Sequence, residues 1–138
     1  MTRLIGGKHP YHEEEDLVCL AVRGVFDHGD MTELLSAAEE VIARHEQVYL
    51  LGNLREMSEL TPGARRYSAE WLQTHRCAGA VYYGTSFITR AIVVLVSRGI
   101  NLLTPNTLPV AIADTEEEAR KWIARQRLRE RRPRSSDF

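Results

Sequence analysis

The segment Val48-Tyr49-Leu50-Leu51 carries no polar side chain except a phenol, and a helix-patterned stretch stands on either side of it. A strand shows its side chains alternately to two faces, so an all-apolar strand has no face to give to water. Such strands occur where helices cover both sides of a parallel sheet. The pattern recurs along the chain. Residues 17–22, 79–84 and 108–113 are further short apolar strand candidates, and helix-patterned stretches separate them. Strands alternating with helices in this way predict a largely parallel sheet with helices packed on it.

The helices carry their own punctuation. Asp30 can cap the first, with Glu33 three residues on in a capping-box relation. Leu34, Leu35, Ala38, Val41 and Ile42 then make one apolar stripe, with Glu39, Glu40 and Arg44 turned away. Gly52-Asn53-Leu54 ends the central strand, and residues 55–60 read as a loop. Thr61 caps a second helix that Pro62 opens, and Tyr67, Trp71 and Leu72 face inward from it. Residues 87–98 follow the cap-like pair Thr85-Ser86. Their β-branched run from Ile92 to Val96 favours a strand by propensity alone. The cap before it and Gly99 after it favour a helix. Asp114-Thr115 caps a last helix, which has Glu116, Glu117 and Glu118 at its positive end and bases beyond.

The first 25 residues or so read as extended, and the acidic run from Glu13 to Asp16 connects a hairpin. Gly24 and Asp27-His28-Gly29-Asp30 end that region. The expected order is β-β-α-β-α-β-α-β-α: a mixed, mostly parallel sheet of about five strands covered by about four helices. It uses residues 1–126 and leaves a basic tail over 127–138.

That order, together with the segment from Pro109 to Ile123, resembles the STAS/SEC14-like (SpoIIAA-like) proteins, relatives of bacterial anti-sigma-factor antagonists. The shared features are a short strand, the acidic cap Asp114-Thr115-Glu116-Glu117-Glu118, Ala119, and the pair Trp122-Ile123. The resemblance spans roughly residues 3–126. It implies a STAS-like fold and a non-enzymatic role: docking a protein partner such as a kinase or a sigma-factor regulator. It also implies a switch, phosphorylation of a Ser or Thr after the central strand at a helix N-terminus, which adds about two negative charges to a docking surface. The equivalent region here, residues 53–63, offers Asn53, Ser58 and Thr61. It lacks the Asp-Ser-Ser-Gly-like sequence of the antagonists, so turn and capping roles are expected for both hydroxyls.

Few other chemistries find support. A net charge of -1 gives no global field for nucleic acid or anionic lipid. The longest apolar stretch falls far short of the ~20 residues that span a bilayer, and no signal core stands at the N-terminus, so a cytoplasmic location is expected. Cys19 and Cys77 lie far apart, which predicts two buried, reduced thiols and neither a zinc site nor a disulfide. His9 and His12 point to opposite faces of an extended segment, so no metal and no cofactor is expected, and the hairpin is read as solvated. Asp27-His28-Gly29-Asp30 has the spacing of a turn and a cap, with no nucleophile tied to it. No catalytic residue is assigned. Gly6-Gly7-Lys8 lacks the preceding strand that a phosphate cradle needs. From Arg120 onward eight bases face only Glu130 and Asp137, and no aromatic residue interleaves them from Arg125 to Arg134. A solvated helix end is expected there, with no specific nucleic acid.

The helix beginning at Phe87 is the unusual element. Phe87, Ile88, Ala91, Ile92 and Leu95 make a core stripe, and Val93, Val94 and Val96 carry apolar surface around to a second side. That side is buried in the domain, meets a second copy of the chain, or borders an apolar ligand with Tyr82 or Tyr83 as pocket walls. The leading expectation is a regulatory interaction module; the alternative is a small apolar-ligand or lipid-binding protein. Convergent titratable groups in a pocket mark an enzyme, and a dry apolar cavity marks a carrier.

Overall fold

The computed structural model describes residues 3–103 and 108–131. Its elements are β1 (Arg3–Ile5), β2 (His9–Glu14), β3 (Leu17–Phe26), α1 (His28–His45), β4 (Tyr49–Leu60), α2 (Pro62–Thr74), β5 (Gly79–Tyr83), α3 (Phe87–Leu103), β6 (Val110–Ile112) and α4 (Glu116–Arg131). The strands stand in the sheet in chain order, β1 to β6. The first three run antiparallel as two hairpins, and β3 to β6 are parallel. The opening therefore holds one strand more than expected, the short β1.

Sequential order has a consequence for the layers. Crossovers between neighbouring parallel strands take one hand, so α1, α2 and α3 fall on the same face. The buried cluster there joins Val18 and Val22 of β3 to Leu34 and Leu35 of α1 and to Trp71 and Leu72 of α2. The chain crosses to the other face after β6. There α4 sets Ala119 and Ile123 against Leu17, Cys19, Tyr49, Leu51 and Val81. The apolar strands are thus covered on both sides, as their composition demands.

Three boundaries differ from expectation. The cap of α1 is Asp27, which accepts from Asp30 N, while Asp30 at the third helical position accepts in return from Asp27 N. The helix therefore starts before Asp30 and buries it. Next, β4 does not stop at Gly52 but continues to Leu60. A Cβ on Gly52 would lie 2.7 Å from Tyr82 Cδ1, so this glycine serves a close approach inside the sheet rather than a turn. Two irregularities between β3 and β4 each place an extra residue in β4, so that Arg23 pairs with Glu56 and Val25 with Glu59. Leu54, Met57 and Leu60 consequently face the core at a spacing of three, while Arg55, Glu56, Ser58 and Glu59 are exposed. Finally, α3 runs through Gly99 to Leu103.

The N-terminal hairpin is not simply solvated. His9 is fully buried, its Nδ1 accepting from Arg23 N at 2.9 Å and its Nε2 lying 3.2 Å from Asp30 Oδ2. Because Nδ1 is an acceptor, the ring proton sits on Nε2 and is donated to Asp30. Among the described residues no helix is long and apolar enough to cross a membrane.

Candidate functional site

Asn53, Ser58 and Thr61 do not share a loop. Asn53 lies inside β4, paired with Ala21 and Tyr83, and its Oδ1 accepts from Arg55 N at 3.1 Å. Ser58 is exposed on the part of β4 that runs past the end of β5. Thr61 caps α2: its Oγ1 accepts from Ala64 N at 3.2 Å, and Pro62 takes the first helical position, where a missing N–H costs nothing. Ser58 and Thr61 therefore stand near the carboxyl ends of the parallel strands, and Asn53 lies back within the sheet.

On the same face a cavity of about 130 Å³ lies between the sheet and the three helices. Tyr82, Trp71, Val93 and Val96 are among its walls, and among the described residues Ser68 and Ser97 supply the only hydroxyls besides the Tyr82 phenol. Burial pushes that phenol up to about 12. The cavity is apolar, and its existence follows from how α3 sits.

The phase of α3 is the reverse of the expected one. Ser86 Oγ accepts from Thr89 N and donates to Thr89 Oγ1, which fixes the first turn with Thr89 buried. Val93 and Val96 then fall on the inner side with Ile92. Of the expected core stripe, Ile92 alone turns inward: Phe87, Ile88 and Leu95 are 87%, 71% and 70% exposed, Ala91 is exposed, and Val94 also faces out. Of the residues expected to border an apolar ligand or a second copy, Tyr82, Val93 and Val96 therefore meet at the cavity, whereas Tyr83 lies on the α4 side of the sheet. Phe87 and Val94 belong to an outer patch.

The opposite face of the sheet holds a polar cluster that sequence reasoning missed. Arg120 of α4 donates to both oxygens of Glu14 at 2.9 Å and through Nε to Glu116 at 3.0 Å. Tyr83 donates to Glu116 at 2.9 Å. His12 Nε2 stands 2.6 Å from Glu14 Oε2, and the Cys19 thiol donates to the same oxygen at 3.4 Å. Beside them is a void of about 230 Å³ lined by His12, Cys19, Tyr83, Glu116 and Arg120. The bonds from Arg120 and His12 hold Glu14 down at about 2. Burial and the Glu14 charge push the Cys19 thiol up to about 12, so it is protonated at neutral pH. The carboxylates are paired and the thiol is not a thiolate, which leaves the cluster without an activated nucleophile. The available signal was positional: His12 and Glu14 share a strand face, and Cys19 is the direct cross-strand partner of His12.

A family model described as SpoIIAA-like matches residues 17–124. The fold is similar to the crystal structure of an uncharacterized protein from the DUF3478 family with a SpoIIAA-like fold from Shewanella loihica PV-4. That match has 15% identity and a TM-score of 0.57, covering 83% of this chain and 90% of that one. It is similar also to the anti-sigma factor antagonist SpoIIAA in its unphosphorylated form, at 13% identity and a TM-score of 0.56, over 84% of this chain and 97% of the other. At these identities the likeness is one of fold. No curated protein matches the chain in sequence.

Proposed function

The chain belongs to the SpoIIAA-like family, and from that premise we propose that it is a non-catalytic regulatory module that docks a protein partner. The partner is of the class that anti-sigma-factor antagonists engage, a kinase or a sigma-factor regulator, met in the cytoplasm. One observation carries the reading: the outer face of α3 leaves Phe87, Ile88 and Leu95 in solvent. A contiguous patch of large apolar side chains on a small domain marks an interaction surface. α3 starts after β5 and α2 after β4, both at carboxyl ends of parallel strands, which supports a docking surface that includes the switch region. The pairing of the carboxylates and the protonated state of Cys19 support a role without catalysis.

The test is a double variant, Phe87→Asp with Leu95→Asp. Both side chains are exposed, so stability should stay within about 0.5 kcal/mol for each change. In cross-linking from the native host, followed by native mass spectrometry, the parent chain should retain a protein partner that the variant loses. Retention by both would sink the proposal. A parent chain cross-linked only to itself would move the patch to a homodimer contact.

The cavity favours a second reading, a small apolar ligand. Sites for drug-sized ligands run to about 300–1,000 Å³, whereas a cavity of about 150 Å³ holds benzene. At about 130 Å³ the space under α3 takes a benzene-sized group, and a lipid chain would need α3 to move outward. Benzene should raise the melting temperature of the parent chain and not that of Val93→Phe. No rise in either removes this reading.

A further inference from the structure

We propose that His12, Glu14 and Cys19 form a binding site for a zinc-class divalent ion on the face of the sheet that α4 covers. The three donor atoms, an imidazole nitrogen, a carboxylate oxygen and a sulfur, lie within 4.8 Å of one another. Their convergence is built into the backbone. His12 and Cys19 are directly paired across the β2–β3 hairpin, and Glu14 is two residues from His12 on the same strand face. A mixed N, O and S set of this kind suits zinc or cobalt, and not the all-oxygen demands of magnesium or calcium.

The spacing fits with shifts of about 1 Å, the widest gap in the set being no more than 4.8 Å. Tetrahedral zinc with bonds of about 2.0–2.3 Å holds its ligand atoms roughly 3.3–3.6 Å apart. The gap from Cys19 Sγ to Glu14 Oε2 is already 3.4 Å. The 2.6 Å gap from His12 Nε2 to the same oxygen must open by under about 1 Å. The His12 side chain is 45% exposed and free to make that movement. Arg120 must yield one bond: its Nη2, 2.9 Å from Glu14 Oε2 and 3.9 Å from Cys19 Sγ, swings away to admit the ion, while Nη1 stays on Oε1 at 2.9 Å. Arg120 then holds the ligating carboxylate from outside, the way metal ligands are commonly oriented. Binding breaks the Cys19 S–H bond and forms a metal–sulfur bond, with the proton leaving to solvent. His12 binds as the neutral ring through Nε2, its proton moving to Nδ1. The fourth position opens on the void beside Tyr83 and Glu116, which has room for water or a small ligand.

The experiment titrates the reduced, full chain with cobalt(II), the spectroscopic stand-in for zinc. The expected result is one ion per chain with thiolate-to-cobalt charge-transfer absorption, displaced by zinc. Cys19→Ser should abolish that absorption, and Cys77→Ser, which removes the distant buried thiol, should leave it unchanged. His12→Gln changes a half-exposed side chain and leaves folding intact. It should weaken binding by at least about tenfold, the low end of what losing even an outer partner of a metal site costs. Absence of the charge-transfer band in the parent chain overturns the site. So does a band that follows Cys77, or an affinity that His12→Gln does not move.

Discussion

The Asp30 carboxylate is shared by three parts of the molecule. It accepts from Asp27 N at the start of α1, it stands against His9 of β2, and it lies under Gly6. Gly6 has φ +60, and a Cβ there would sit 1.8 Å from Asp30 Oδ1. Gly7 has φ +73 with nothing within 4 Å. Both glycines take a left-handed backbone that costs other residues about 1–2 kcal/mol. Only Gly6→Ala also pushes a buried carboxylate off its partners, so it should cost at least about 1 kcal/mol more than Gly7→Ala in urea unfolding. Asp27 yields a pH test. The N–H of Asp30, donating to it, holds its carboxyl below the ordinary 3.8. A lowered folded value means that the stabilisation is fully present above the unfolded value and is lost as pH falls through the folded one. Asp27→Asn keeps a capping acceptor without that titration. Its melting temperature should therefore fall less steeply below about pH 4 than that of the parent chain, as measured by thermal scans across the acid range.

At the scale of elements, α3 gives the sharpest test. It packs chiefly on α2 and spans the cavity instead of lying flat on the sheet. Leu95→Glu on its outer side should leave the urea midpoint nearly unchanged, within about 0.5 kcal/mol. Val93→Ala on its inner side should cost about 1 kcal/mol or more. The reverse order would mean that the helix is turned the other way. Apart from β1, the element order was legible in the sequence, as were the caps Thr61 and Thr115, because caps and apolar runs are local signals. The phase of α3 was not: residues 91–96 are apolar on every side, so the hydrophobic pattern has no direction, and the Ser86–Thr89 cap decides it. The length of β4 was hidden because Gly52-Asn53 has the composition of a turn and the bulges replace a period of two with a period of three. The His12, Glu14 and Cys19 cluster depends on where the hairpin turns. Glu15, at φ 56, sets that point, and with it the pairing of His12 to Cys19.

For the whole molecule, the two sides of the sheet are held by different forces. The side of α1, α2 and α3 is an apolar core, whereas α4 is also fastened by charges. Arg127 pairs with Asp16 and lies over the Tyr49 ring, and Arg76 donates to Glu130 at 2.8 Å. The first five residues of the expected tail, 127–131, therefore continue α4. Asp16 has a side chain only 12% exposed, and it would keep Gln47 alone as a side-chain donor after Arg127→Ala. That substitution should cost about 1–3 kcal/mol, read from the unfolding midpoint. Removing residues 127–138 to look for nucleic-acid contacts would thus also loosen the fold.

The chain-order arrangement of the strands bears on how the protein is made. Each strand emerging from the ribosome finds its sheet neighbour already synthesised, so the sheet can lengthen in step with translation, at about 5–20 residues per second. Three helices close one side along the way. The other side, with Tyr49, Leu51 and Val81, stays bare until α4 at the end of the described chain arrives. A stalled or prematurely terminated chain would hold a nearly finished sheet with an adhesive underside, the form that chaperones and proteases recognise.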